Sequence, residues 1–88
     1  MTRKELPDLL YKTLKELGGS ANMMDVFRKF WNEHKDKLKE TDDIFYTWNY
    51  DIRWAATQLR KQGKMKPAAV QENTYGYDMS PKGIWEII

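Results

Sequence analysis

"YTWNYDIRWAATQLRKQGKM", residues 46–65, sets Trp48 and Trp54 six apart and runs from them into a basic tail. At about 100° per residue, Trp48, Ile52, Ala55 and Leu59 fall within one narrow sector of a helix, with Ala56 on its flank. The alanines in that stripe let the helix approach its neighbours closely. Opposite the stripe lie Tyr50, Arg53, Trp54, Thr57, Arg60 and Lys61, with Asn49 at the edge. The pattern therefore predicts a helix with an apolar inner side and a polar, basic and aromatic outer side. It spans about 44–62, although its first turn is open between Ile44 and Thr47 because "IFYTW" also has the composition of a strand. Gly63 ends it.

The chain upstream gives two more helices. In "LPDLLYKTLKEL", Leu6, Leu10, Leu14 and Leu17 recur at intervals of three and four, with Leu9 beside them. Pro7 suits a first helical turn and Gly18-Gly19 a stop, so the first helix is expected over about 4–18. Asn22, with Asp25 three residues on, resembles a capping arrangement for a second helix over about 22–38. Met23, Phe27, Phe30, Trp31 and Leu38 form its apolar stripe, and mixed charges line its wet side. Thr41, Asp42 and Asp43 are candidate caps for the third helix.

Beyond Gly63 the helical period is lost. "GIWEII" reads as a strand and "KMKPAAV" as its partner, with Pro67 at an edge or bulge and "SPKG" as a turn. The expected class is α+β, mainly α: one winged helix-turn-helix domain over 1–88, with three helices followed by a β-hairpin wing over about 64–88.

Composition narrows the function. Eighty-eight residues, 41% of them hydrophobic and 32% charged, suit one small core. The absence of cysteine excludes disulfides and thiolate metal sites, and points to an intracellular, cytoplasmic protein. No apolar run approaches the roughly 20 residues that span a bilayer, and "MTRKELPD" has no signal-peptide core. The net charge of +2 is unevenly spread: residues 1–51 carry nine basic and ten acidic side chains, residues 52–88 six and three. From residue 52 to 71 there is no acid, while Arg53, Arg60, Lys61, Lys64 and Lys66 are all basic. Such a cluster suits a polyanion; it equally suits a solvated helix end, where cations complement the macrodipole.

The residues "YDIRWAATQLRKQGKM" and "SPKGIWEI" resemble the N-terminal winged-helix domain of Mrr-type restriction endonucleases. The likeness is carried by Arg53, Trp54, Ala55, Leu59, Lys61, Gly63, Gly83 and Trp85, and "ELGGSAN" matches its beginning. Two departures stand out: the stretch from 68 to 82 is longer than the family's usual wing, and the Thr-x-x-Gly that follows its last strand is missing. The resemblance implies a target-recognition module, either excised from a larger enzyme or free-standing, with double-stranded DNA as partner and modified DNA permitted. Any nuclease activity would lie in another domain.

In a helix-turn-helix, the exposed residues of the recognition helix meet base edges in the major groove while neighbours hold phosphates. The expected groove contacts are Asn49, Tyr50, Arg53 and Thr57. Arg60, Lys61 and Lys64 suit phosphate, and Lys82, Asn73 and Tyr75 of the wing suit backbone or minor groove. Tyr50 has a second reading, as a cover for the second helix. Trp54 is expected to bridge the third helix to the hairpin, against Trp85, rather than to stack on a base, whereas Trp31 and Trp48 belong to the core. About five cations on a monomer give weak non-specific binding, so a homodimer or a covalently linked catalytic domain is expected to supply the rest.

Enzyme readings find no support in the sequence. His34, the only histidine, lies in a charged segment and reads as surface. Asp42 and Asp43 with Glu40 could hold a divalent cation loosely but lack the ligand spacing of an EF-hand or nuclease centre, and neither a phosphate loop nor a paired nucleophile is present. No catalytic residue, cofactor or metal is assigned. The competing reading is a protein-interaction or dimerisation module without direct DNA contact, in which Tyr50, Trp54, Tyr75 and Tyr77 form the interface and the basic residues its rim.

Overall fold

The computed structural model describes residues 1–39, 42–67 and 83–88. Helix α1 (Leu6–Glu16) follows a 3-10 turn at Arg3–Glu5, strand β1 (Ser20–Asn22) leads into α2 (Met23–His34), and a second 3-10 turn (Lys35–Lys37) precedes α3 (Ile44–Lys61). Strand β2 (Ile84–Glu86) comes last. The architecture is mainly helical with a small antiparallel sheet, a layout compatible with a winged helix.

Glycine and asparagine set the ends of the helices. Gly18 and Gly63 both have positive φ, 89° and 72°, a conformation that costs glycine little. At each, the amide of the glycine and the next amide reach back to carbonyls of the last turn: Gly18 to Lys15 and Gly19 to Leu14 in α1, Gly63 to Arg60 and Lys64 to Leu59 after α3. These are paired Schellman closures. The Asn22 side chain accepts from the Met24 amide at 2.8 Å, capping α2 as expected, while Asp25 pairs instead with Arg28 at 3.0 Å. Asp43 does not cap α3 through its side chain.

The core lies where the three helices meet. Leu6, Leu10 and Leu14 of α1, Val26 and Phe30 of α2, and Ile52, Ala55, Ala56 and Leu59 of α3 are fully buried. The buried alanines keep the α3 backbone close to α1, as the spacing predicts. Around this centre Trp48 packs edge-on to Phe27 at 6.0 Å and stacks near Trp31 at 5.5 Å, so both tryptophans, expected inside the core, lie partly buried against its edge.

The sheet differs from the expected hairpin. β2 pairs antiparallel with β1, Ser20 opposite Glu86, Ala21 opposite Trp85 and Asn22 opposite Ile84. Its other edge takes residues 64–66: Met65 bridges Ile87, the Lys66 amide donates to the Glu86 carbonyl at 2.9 Å, and the Ile88 amide to Lys64 at 3.1 Å. The last strand is thus flanked on both sides, and part of "KMKPAAV" is its second neighbour. No strand is expected at Ser20–Asn22, because three residues carry no period of their own. They become a strand because β2 offers amides and carbonyls that would otherwise go unpaired. The turn "SPKG" falls largely outside the described residues.

His34 is a correction. It is only 7% exposed and lies against Phe30, ring centroids 4.5 Å apart. One turn beyond Phe30 on the same helix face, it points into the core. Burial pushes its imidazole below the ordinary value of about 6.5 and outweighs the nearby Glu33 carboxylate, which pulls the other way. A group whose folded pKa is depressed supplies stability above its unfolded pKa and loses it as the pH falls through the folded one. The melting temperature is therefore expected to fall as the pH drops from 7 towards 5, before the carboxylates protonate. In His34→Gln that early fall should flatten, as read by circular dichroism melts across the range. An identical pH dependence in the variant would show that the buried imidazole is not its source.

Candidate nucleic-acid interface

With the inner edge of α3 committed to the core, Asn49, Arg53, Thr57 and Lys61 form an exposed row on the opposite side, each four residues after the last. At 1.5 Å rise per residue the row is about 18 Å long. Tyr50 stands beside it, 68% exposed, so it does not cover α2. Lys64 follows just beyond the helix and is exposed, its ammonium 6.0 Å from the Tyr11 ring.

The acid within this helix is neutralised. Asp51 accepts from the Thr47 hydroxyl at 2.7 Å and from Arg3 at 3.4 Å. Among the described residues no carboxylate lies within ion-pair distance of Arg53, Lys61 or Lys64. Arg53 instead leans over the Phe27 ring, 5.5 Å from its centroid, which steers the guanidinium while leaving it in water. Thr57 donates its hydroxyl to the Arg53 carbonyl at 3.3 Å, so its oxygen is left as an acceptor. Asn49 uses its carbonyl oxygen to accept from the Tyr50 amide at 3.0 Å, so its amide hydrogens remain to donate outward.

Two residues of the expected outer face are placed differently. The Arg60 side chain turns away from the row, and its Nε donates to the Lys66 carbonyl at 3.2 Å. Its Nη2 is enclosed without a hydrogen-bond partner among the described residues, and burial lowers the guanidinium pKa. Arg60 thus ties the end of α3 to the segment that borders β2. The wheel placed it outside because a helix end has no fixed inside until the chain folds back over it.

Trp54 is the second correction. It is half-buried beneath Arg3, whose guanidinium sits 4.0 Å from the ring centroid. It therefore bridges α3 to the N-terminal turn, whereas Trp85 packs edge-on to Phe27 at 5.7 Å. The spacing gave no signal for this, because Arg3 and Trp54 are fifty-one positions apart and meet only when the N-terminal turn packs on α3.

Lys82, Asn73, Tyr75 and Tyr77 lie outside the described residues, as does Glu40. Elsewhere, a cleft of about 630 Å³ opens between the start of the chain and the second 3-10 turn, lined by Met1, Glu5, Asp8, Leu9, Asp36, Lys37 and Lys39. It mixes both charges around an aliphatic floor and holds no nucleophile with a base. No group of three or more metal-ligating side chains occurs among the described residues, and no helix there is long and apolar enough to cross a membrane. No family model matches the chain, and no curated protein or solved structure matches it.

The two arginines of α3 should separate by experiment. Arg60→Ala is expected to lose about 1–2 kcal/mol of stability, because it removes a part-buried hydrogen bond to the backbone. Arg53→Ala should stay within about 0.5 kcal/mol of wild type, as exposed positions do. Urea denaturation of both variants measures this, and equal losses would contradict the placement.

Proposed function

We propose that this chain is a winged helix-turn-helix domain that binds double-stranded DNA, with α3 in the major groove. The observation that carries the reading is the row Asn49, Arg53, Thr57 and Lys61, continued by Lys64: donors and cations on one rigid helix, without a carboxylate partner among the described residues. The order α1, β1, α2, α3, β2, with β2 between β1 and residues 64–66, supports it as well, since a small antiparallel sheet beside three helices is the layout of a winged helix.

In this reading the Arg53 guanidinium donates to the acceptors of a guanine edge, and Asn49 donates to a neighbouring base acceptor. Lys61 and Lys64 meet phosphates, which fix register without reading sequence. Arg60 acts one step back, by holding the segment from which Lys64 projects. The resemblance of Arg53-Trp54-Ala55 and Gly83-Ile84-Trp85 to the Mrr-type domain supports a target-recognition module, linked to a catalytic domain or free-standing. A second reading, as a protein-interaction module, is favoured by Tyr46 and Tyr50, 66% and 68% exposed on adjacent turns of α3.

Fluorescence anisotropy with a labelled duplex distinguishes the two. Binding is expected to be measurable at about 50 mM salt and to weaken to a dissociation constant of about 10⁻⁴ to 10⁻⁶ M at physiological salt. Arg53→Ala should weaken it further, while Lys12→Ala, on the exposed side of α1, should not. Absence of binding at low salt, or equal effects of the two substitutions, would reject the DNA reading.

A further inference from the structure

A second concavity, of about 290 Å³, lies between α2 and α3. Phe27, Trp31 and Trp48 supply aromatic surface, Met24 forms a wall, and Arg28 and Asn49 stand at the rim. Three features are unusual for a surface cleft in so small a protein. Met24 is 49% exposed and both tryptophans are only half-buried, so aromatic and thioether surface stays in water next to the core. The rim is cationic and amide-bearing: among the described residues Arg28 pairs only with the exposed Asp25, a kind of contact that yields readily, and Arg53 lies over the same Phe27 ring. The cleft also adjoins Asn49, whose amide hydrogens are left to donate.

A cationic ligand is disfavoured by the two guanidinium groups, and a purely apolar anchor would leave the rim unused. A planar heteroaromatic group with acceptors on its edge and a negative charge on either side satisfies all of it. We propose that the α2–α3 cleft takes a single unstacked nucleobase of bound DNA, its faces against the aromatic side chains and its flanking phosphate near Arg28, the extruded base being the neighbouring base whose edge accepts from Asn49 while Arg53 stays on the guanine beside it. The inference rests on the DNA reading above and adds to it a preference for DNA in which one base is free to leave the stack. Stacking on aromatic side chains favours any base, whereas extruding a base costs least where it is unpaired.

The test compares one duplex, fully paired, with the same duplex carrying a single-nucleotide bulge, against wild type, Met24→Glu and Arg28→Gln. Both substitutions are at exposed positions of α2, and circular dichroism checks that each variant folds. Wild type is expected to bind the bulged duplex about tenfold more tightly. In both variants the ratio of the two affinities should collapse towards one, even where the added charge of Met24→Glu weakens binding of both duplexes. Equal affinity of wild type for paired and bulged DNA would overturn the cleft while leaving DNA binding intact, and is also the outcome if the cleft seats an apolar side chain of a protein. A bulge preference that survives both substitutions would overturn it as well, since it would come from the pliancy of bulged DNA. Loss of binding to both duplexes in wild type at low salt would take the DNA reading down with it.

Discussion

Burial of the Ile52, Ala55, Ala56 and Leu59 edge fixes the rotation of α3 about its own axis, and most other features depend on that rotation. A turn of one residue, about 100°, would carry Arg53 into the core, where an unpaired guanidinium costs several kcal/mol. The alanines do more than fill space. They bring α3 close to α1, so that Leu6, Leu10 and Leu14 join them in one buried cluster. Asn49, Arg53, Thr57 and Lys61 are then held outward by a constraint that none of them contributes to.

The sheet sets how α3 ends. β2 has neighbours on both edges, and its Trp85 is buried against Phe27. Phe27 therefore touches the sheet through Trp85, the helical core through Trp48, and the outer face through Arg53. On the far side of α3, Arg60 and the closure at Gly63 lead the chain into residues 64–66, where Met65 is buried, the Lys66 side chain pairs with Glu86, and Lys64 remains exposed. A cation just past the helix is thus held by backbone geometry, and needs no contact of its own.

Much of this was legible in the sequence where a period ran long enough. Eighteen residues of α3 display their apolar stripe several times, so Ile52, Ala55, Ala56 and Leu59 could be placed inside and Arg53 outside from spacing alone. Three residues of β1 display no period, and their pairing with β2 spans more than sixty positions of chain that local patterns do not connect. Trp54, Arg60 and His34 depart from what their spacing suggests for a related reason. Each is amphipathic, and each takes its surroundings from a segment remote from its own helix face or from the end of its helix: Arg3 over Trp54, the Lys66 carbonyl beside Arg60, the end of the core around His34. The cleft between α2 and α3 is of the same kind, since Met24 and Asn49 are neighbours only after the two helices pack.

α3 has a committed inner edge and an outer row of donors and cations, and the proposal is that this row meets DNA. Nuclear magnetic resonance of the isotope-labelled chain, titrated with duplex DNA at low salt, tests it most directly. The largest signal changes are expected at Asn49, Tyr50, Arg53, Thr57, Lys61 and Lys64, with small ones along the α1 face that carries Lys12 and Lys15. Changes concentrated on α1, or spectra that do not respond to DNA at all, would contradict it.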